Sequence, residues 1–396
     1  MPQPDYAPQT IAVRSGVDSD EQFGSVIPPI HMSSTFSFAE FGQARAHDYS
    51  RSGNPTRDRL ADALRDLEGG ATACITNTGM SAITTVLQLL GPTDTVIAPH
   101  DCYGGSYRLL DAWARRGAFR VCFVDFNDPA AWRTALARGP KLVWLETPSN
   151  PLLRITDIQR VSQVAQAQGA LVVVDNTFLS PALQQPLSLG ADVVVHSTTK
   201  YINGHSDVIG GAIICRRPGL GEEIAWWANC LGVTASAHDC WLTLRGLRTL
   251  DARLRVHQEN ALAVSDCLCR HPAVSRVYFP GLPDHPGHLI ARRQQQGFGA
   301  MISFELAGGE AAVRACLPAL RCFTLAESLG GVESLIAHPA TMTHAAMAAD
   351  ARERAGISAG LLRLSVGIES PRDLVADLKQ ALDAISRTTP AREARP

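Results

Sequence analysis

Between about residues 60 and 215 the sequence alternates short apolar runs with longer segments of helical periodicity, and few folds are compatible with such an alternation. The apolar runs have the length of strands and end in polar residues; they are 95–98, 121–125, 142–146, 171–175 and 191–196. The helix-like segments between them are 81–90, 107–116, 129–138 and 158–168. Strand–helix alternation predicts a parallel sheet covered on both faces. Ligands bind beyond the carboxyl ends of such strands, so the polar residues that end the runs are the first site candidates.

The length of the chain predicts more than one domain, because 396 residues exceed the size at which a single core stops growing. Residues 1–60 are rich in Pro, Gly and Ser and predict an extended arm that reaches a neighbouring subunit. Residues 61–256 form the predicted larger α/β domain. Residues 257–396 form a smaller α/β domain, with strand-like runs at 275–278, 301–306 and 361–366 and a closing amphipathic helix at 374–385. A long helical region at about 222–270 connects the two domains.

Charge and composition exclude several classes of partner. The formal net charge is -2 and no basic block is present, so nucleic acid and membrane surfaces are not expected as ligands. The apolar runs are too short to cross a bilayer, and the N-terminus lacks the features of a secretory signal. The ten cysteines are scattered without the spacing of a zinc site, so no metal is expected. We therefore expect a cytoplasmic protein.

Only three residues supply a side-chain amine: Lys141, Lys200 and Lys379. Lys141 begins a strand-like run, and Lys379 lies in the final helix, where a solvated charge is the simplest reading. Lys200 follows a strand at its carboxyl end, where partial desolvation would lower its pKa and make it a nucleophile. A lone lysine in a loop is more often a surface residue, but the hydroxyls of Ser197 and Thr199 beside it favour a phosphate-binding site.

Two further features fall on the same predicted edge of the sheet. Segment 76–81, Thr-Asn-Thr-Gly-Met-Ser, precedes an apolar helix, and Gly79 would let the backbone approach an anion; a simple helix cap is the alternative. Asp175 ends an apolar run and could pair with a protonated pyridine nitrogen, although a turn or cap aspartate is more common. An amine, an anion cradle and a ring-nitrogen partner together are the parts needed for pyridoxal 5'-phosphate (PLP).

At these residues the sequence resembles the Cys/Met-metabolism family of PLP-dependent enzymes, over essentially the whole chain. The segment 192–207, Asp-Val-Val-Val-His-Ser-Thr-Thr-Lys-Tyr-Ile-Asn-Gly-His-Ser-Asp, is similar to the family's lysine signature, and 49–57, Tyr-Ser-Arg-Ser-Gly-Asn-Pro-Thr-Arg, is similar to its arm motif. The resemblance implies the PLP-dependent transferase fold of type I (aspartate-aminotransferase-like), an α/β fold. A large, mainly parallel mixed-sheet domain would bind PLP beside a smaller C-terminal α/β domain. A homotetramer, built as a dimer of catalytic dimers, is also implied.

The resemblance implies roles for the cofactor residues. Lys200 would bind the PLP aldehyde as an imine and later shuttle protons. Asp175 would pair with the pyridine nitrogen, and Tyr103 would stack on the ring and could act as an acid or base. The phosphate would be held by Gly79, Met80, Ser197 and Thr199 and, from a neighbouring subunit, by Tyr49 and Arg51.

The resemblance also implies a substrate side of the site. Arg363 would clamp the substrate α-carboxylate with its planar guanidinium; taken alone, a strand arginine is more simply explained by a surface ion pair. The other implied substrate residues are Asn150, Glu327, Ser328, Arg108 and Tyr49. Glu327 would attract the amino group of an incoming cysteine, with a capping or surface role as the alternative.

Within the family, segments 98–108, 226–229 and 325–334 are most similar to members that make L-cystathionine. This likeness implies replacement of the acyl group of an activated homoserine ester, O-succinyl-L-homoserine, by L-cysteine, with release of succinate and with γ-elimination as a side reaction. The reaction belongs to transsulfuration in methionine biosynthesis. One alternative is cleavage of L-cystathionine to L-cysteine, 2-oxobutyrate and ammonia. A non-catalytic binding or regulatory protein is the other, although such a protein would not need the Lys200 amine.

Overall fold

The computed structural model describes residues 6–345, 347 and 349–388. The first five residues of the predicted arm and residues 389–396 of the predicted C-terminal domain lie outside this range. Across the described part of the chain, every helix is too short or too polar to span a membrane.

Twelve strands form two sheets in the described residues. The strands of the larger sheet are β1 (Thr72–Thr76), β2 (Thr95–Pro99), β3 (Arg120–Val124), β4 (Leu142–Glu146), β5 (Leu171–Asp175), β6 (Val193–His196) and β7 (Gly211–Cys215). Those of the smaller sheet are β8 (Val274–Tyr278), β9 (Met301–Leu306), β10 (Thr324–Leu325), β11 (Leu335–Ala337) and β12 (Leu361–Ser365). The predicted large and small α/β units are both confirmed as separate sheets.

Fourteen α-helices accompany the strands within the described range. In the first half of the chain they are α1 (Pro8–Arg14), α2 (Pro55–Glu68), α3 (Gly79–Leu87), α4 (Gly104–Arg115), α5 (Pro129–Leu136), α6 (Ile158–Gln166) and α7 (Ser180–Leu183). In the second half they are α8 (Pro218–Leu231), α9 (Ala237–Leu247), α10 (Leu250–Arg270), α11 (His288–Gln294), α12 (Gly309–Cys316), α13 (Ala349–Ala355) and α14 (Pro371–Thr388).

The larger sheet has the order β1-β7-β6-β5-β4-β2-β3. Its strands all run in the same direction except β7, which is antiparallel to both β1 and β6. The five apolar runs predicted as strands are β2 to β6, and they pair in parallel as expected. Helices α3, α4 and α8 cover one face, while α2, α5 and α6 cover the other. Burial on both faces explains why these strands are almost wholly apolar, with Val and Leu in successive positions.

The smaller sheet has the order β10-β11-β12-β9-β8 and is mainly antiparallel. Helices α10, α12 and α14 enclose its own apolar core. The predicted boundary between residues 256 and 257 falls inside α10, which buries Leu254 in the first core and Val264 and Leu268 in the second. The same helix therefore packs in both cores, and the boundaries themselves stay a prediction.

The helical region predicted at 222–270 is divided into α8, α9 and α10. Gly232 ends α8 with a φ of 69°, a left-handed conformation that a residue with a Cβ adopts at a cost. Helix α2 begins directly after the arm, where Asn54 caps it by accepting from Thr56 N and Arg57 N, and its apolar face is buried.

Candidate active site

A cavity of about 430 Å³ lies beyond the carboxyl ends of β4, β5 and β6. Residues from both sheets line it, which puts it where a parallel sheet is expected to bind a ligand. Twelve residues predicted from the sequence line this cavity: Gly79, Met80, Tyr103, Arg108, Asn150, Asp175, Ser197, Thr199, Lys200, Glu327, Ser328 and Arg363.

Lys200 lies in the turn after β6, and its Nζ donates to Ser328 Oγ at 3.1 Å. Burial, together with the positive charge of Arg363, lowers the pKa of the Lys200 amine to about 8, while Glu327 and Asp175 oppose the shift. A lysine with this pKa is neutral in a substantial fraction of molecules near neutral pH, which is the form that attacks a carbonyl carbon.

Asp175 ends β5, and its Oδ1 accepts a hydrogen bond from Thr177 N at 3.0 Å. Burial raises the pKa of the Asp175 carboxyl, and the hydrogen bonds from Thr177 and the charges of His196 and Lys200 act in the opposite direction. A cation placed against this carboxylate would stabilise its ionised form, as a protonated ring nitrogen would.

The start of α3 forms a narrow cradle against the turn that follows β6. A Cβ built on Gly79 would lie 2.8 Å from Ser197 Cβ, so the backbones approach too closely for a side chain at residue 79. Thr78 caps the helix by accepting from Ser81 N at 2.8 Å, so the simple cap considered as an alternative is also present. On the facing turn, Thr199 Oγ1 accepts from Gly210 N at 3.0 Å. Unpaired N–H groups at a helix start suit an anion.

Tyr103 immediately precedes α4, where Gly105 leaves room for its ring. A Cβ on Gly105 would lie 2.5 Å from Tyr103 Cε1, so the ring occupies the space that a side chain would fill. Burial raises the pKa of the Tyr103 phenol, with Arg108 lowering it and Glu327 raising it. The phenol is therefore protonated near neutral pH and can donate a hydrogen bond into the cavity.

Arg363 lies on β12 and is 3% exposed, so the alternative of a surface ion pair is wrong. Its Nη1 donates to Asn150 Oδ1 at 2.8 Å, and its Nη2 donates to the backbone oxygen of Ser328 at 3.0 Å. In the described structure its Nε is buried without a hydrogen-bond partner. A guanidinium that is held on two sides and lines a cavity is suited to a carboxylate ligand.

Tyr49 and Arg51 do not line the cavity of their own chain. Arg51 Nη1 instead donates to Asn229 Oδ1 at 3.0 Å, and its guanidinium lies 5.7 Å from the centre of the Tyr49 ring. Tyr49 is half-exposed. The expectation that both residues act in a neighbouring subunit stays a prediction.

Glu146, at the carboxyl end of β4, is a cavity residue that the sequence prediction did not select. It is 5% exposed and pairs in register with Asp175 on the adjacent strand. The signal was available, because Glu146 ends its apolar run just as Asp175 does. A carboxyl group that ends a buried strand can belong either to a site or to a turn. Its position at the strand end does not distinguish the two.

Comparison with known proteins gives a consistent result. Residues 9–383 match the family described as Cys/Met metabolism PLP-dependent enzyme. Cystathionine gamma-synthase of Escherichia coli (strain K12) is 59% identical over 96% of this chain and 98% of its own.

Two solved structures extend the comparison. Cystathionine gamma synthase from Xanthomonas oryzae pv. oryzae, in complex with cystathionine, is 62% identical, with a TM-score of 0.96 over 97% of this chain and 100% of its own. Cystathionine gamma-lyase from Lactobacillus plantarum, complexed with L-serine, is 42% identical, with a TM-score of 0.93 over 96% and 100% of the two chains. On this sequence match, and with a cavity that gathers an amine, a carboxylate and an anion cradle, the chain belongs to the Cys/Met metabolism PLP-dependent enzyme family.

Proposed function

We propose that this enzyme makes L-cystathionine from O-succinyl-L-homoserine, or another activated homoserine ester, and L-cysteine, with release of succinate. The observation that carries the proposal is the difference in identity between relatives of the same length. The synthases of Escherichia coli and Xanthomonas oryzae are 59% and 62% identical, whereas the Lactobacillus plantarum γ-lyase is 42% identical. The reaction is a transfer step of transsulfuration in methionine biosynthesis, and its elimination branch would yield 2-oxobutyrate and ammonia.

The residues present fit PLP, the cofactor of the family. The Lys200 amine has a pKa of about 8, which suits attachment of an aldehyde. The close approach of Gly79 to Ser197 leaves a cradle of backbone and hydroxyl groups for a phosphate, and Asp175 offers a carboxylate to the ring nitrogen. When bound, PLP supplies an electron sink that makes the α and β protons of an amino-acid substrate acidic.

In the proposed assignment, Lys200 attaches the cofactor and, once released by substrate, moves protons at Cα and Cβ. Asp175 holds the proton on the pyridine nitrogen, and Tyr103 stacks against the ring with its phenol directed into the cavity. The phosphate is bound by residues of the cradle: Gly79, Met80, Ser197 and Thr199. The hydrogen bond from Lys200 Nζ to Ser328 Oγ supports this assignment, because it orients the amine within the cavity.

On the substrate side, Arg363 binds the α-carboxylate through its guanidinium, which Asn150 and Ser328 hold in place. Binding the carboxylate in one place orients Cα toward Lys200. Such orientation of the reacting atoms is the main way a positioned side chain accelerates a reaction of this kind. Glu327 attracts the ammonium group of the incoming cysteine, and Arg108 lies with it on the substrate side. Both line the same cavity.

We also propose that the working assembly is a cytoplasmic homotetramer of two catalytic dimers, in which Tyr49 and Arg51 bind the phosphate of the neighbouring subunit. Large apolar side chains of the arm, Phe23, Met32 and Phe41, are exposed, which favours a protein surface as their partner. A complementation experiment tests this. Arg51→Ala and Lys200→Ala, each weakly active or inactive alone, should regain activity when unfolded and refolded together. A mixture with no more activity than its parents would contradict a shared site.

Paired steady-state assays test the proposed reaction. One contains O-succinyl-L-homoserine and L-cysteine, and the other contains L-cystathionine alone. We expect faster turnover in the first, with succinate and L-cystathionine as products. Faster turnover of L-cystathionine alone would assign the enzyme to the γ-lyases instead. If the purified protein took up no PLP, it would show no visible absorbance that borohydride removes. That result would favour the non-catalytic alternative.

A further inference from the structure

Glu146 forms hydrogen bonds with two of the loops that carry proposed site residues. Its Oε2 accepts from the backbone N–H of Tyr103 at 2.8 Å, and its Oε1 accepts from the backbone N–H of Asn150 at 3.2 Å. Tyr103 follows β2, and Asn150 follows β4, so a single carboxyl group joins loops from neighbouring strands. Both loops open into the cavity.

The Asn150 end of this arrangement continues to the substrate side. Asn150 Oδ1 accepts from Arg363 Nη1 at 2.8 Å. From the other side, His344 Nε2 lies 3.1 Å from the Asn150 backbone oxygen. Burial lowers the pKa of His344 to about 4, so the imidazole is neutral and donates from Nε2. Glu146 and His344 thus hold Asn150 from opposite ends of its backbone, and Asn150 in turn holds Arg363.

A carboxyl group is costly at this location. Burial and the nearby charge of Asp175 raise the pKa of Glu146 well above its usual range, and the two N–H donors pull the other way. A glutamine has the same reach and no charge, but only one of its two terminal atoms accepts a hydrogen bond. The need to accept from two N–H groups at once accounts for a glutamate in this buried place.

We propose that Glu146 is a positioning residue whose two carboxyl oxygens fix Tyr103 against the PLP ring and, through Asn150, fix Arg363 against the substrate carboxylate. This inference rests on the proposed roles of Tyr103 and Arg363 and adds to them the group that sets their relative position. Glu146 itself exchanges no proton with substrate in this assignment.

The test is the isosteric variant Glu146→Gln, with three measurements. The variant leaves one N–H facing an NH₂ donor, so one loop must move. We expect PLP to bind the apoprotein more weakly, by up to about a hundredfold, the limit set by leaving one buried N–H without an acceptor. We also expect a changed visible circular dichroism band of bound PLP and a raised KM for the amino-acid substrate. The dichroism reports ring orientation, which a loss of stability alone does not alter.

Asp377→Asn is the matched control. Asp377 is 5% exposed and accepts from the backbone N–H groups of Arg321 and Cys322 at 2.9 and 2.8 Å, in the smaller domain rather than at the cavity. The Asp377→Asn variant should lose thermal stability while keeping the wild-type PLP affinity, dichroism and KM. If Glu146→Gln does not fold, Glu146→Asp replaces it, because its shorter side chain keeps the carboxyl group but cannot reach both loops.

The possible outcomes separate this inference from the proposed function. Wild-type dichroism, PLP affinity and KM in the glutamine variant, or in the aspartate variant where that is used, would overturn the role of Glu146 while leaving the proposed function intact. A wild-type protein that binds PLP but prefers L-cystathionine would change the proposed reaction without affecting these readouts. A wild-type protein that binds no PLP would overturn both.

Discussion

The pH at which the apoprotein captures PLP tests the proposed nucleophile directly. An ordinary lysine has a pKa near 10.4, so at pH 7 only about one amine in 2,500 is neutral. The buried Lys200 amine has a pKa of about 8. About one molecule in ten then carries the neutral amine at pH 7, a gain of roughly two hundredfold in the reactive form. Because the pKa is lowered, the neutral form increases up to pH 8 and dominates above it.

Covalent capture at saturating PLP should therefore rise about tenfold from pH 7, bend near pH 8 and become flat. Stopped-flow absorbance of the cofactor measures the rate, and Lys200→Ala, which binds PLP without attaching it, supplies the correction for the non-covalent step. Glu327→Gln gives a second perturbation. The negative charge of Glu327 raises the pKa of Lys200, so its removal should move the bend below pH 8.

A capture rate that climbs without a bend through pH 9 would refute this reasoning, because Lys200 would then behave as a solvated amine. A bend that moves upward in Glu327→Gln would refute the assigned direction of the Glu327 effect. The first result would also remove the main physical reason for singling out this lysine from the other two in the chain.

Three further predictions concern the cradle, the clamp and the core. Gly79→Ala puts a Cβ 2.8 Å from Ser197 Cβ and should weaken PLP binding at least about tenfold in an equilibrium titration; it should also lower the melting temperature of the apoprotein, because the two backbones must move apart. Arg363→Lys keeps the charge but loses the planar set of donors, so KM for the amino-acid substrate should rise about tenfold to a hundredfold in steady-state kinetics. Leu64→Ala, at a fully buried position of α2, should lower the free energy of unfolding by about 2–5 kcal/mol in urea denaturation, and a loss below about 1 kcal/mol would contradict the packing.

The sequence predicts the central part of the larger sheet because the apolar runs have the length of strands there and the residues that end them are polar. Each run from β2 to β6 is apolar along its length, a helix follows every one of them except β6, and each buried strand ends at the same edge. Placing Lys200 and Asp175 at one edge required only this rule and the identity of the residues that follow the runs. Strand β7 is as apolar as its neighbours, so nothing in its composition indicates that it runs antiparallel.

Contacts between distant parts of the chain were not predictable in the same way. Gly79 and Ser197 are separated by 118 positions, yet the cradle depends on the absence of a Cβ at one and the small side chain of the other. Arg363 is polar and lies in a strand, which by local rules favours a surface position. It is buried because Asn150, 213 residues away, accepts its hydrogen bond.

Ser328 illustrates why the cavity depends on both sheets at once. Its hydroxyl accepts from Lys200 Nζ, which follows a strand of the larger sheet, and its backbone oxygen accepts from Arg363 Nη2 on the smaller one. To present both groups, its backbone adopts a φ of 90°, a conformation that costs energy in a residue with a side chain. Local sequence preferences disfavour that conformation. Ser328 keeps it because the surrounding packing holds it in place. The relative position of amine and guanidinium, on which the proposed reaction depends, is therefore set by tertiary structure rather than by either segment alone.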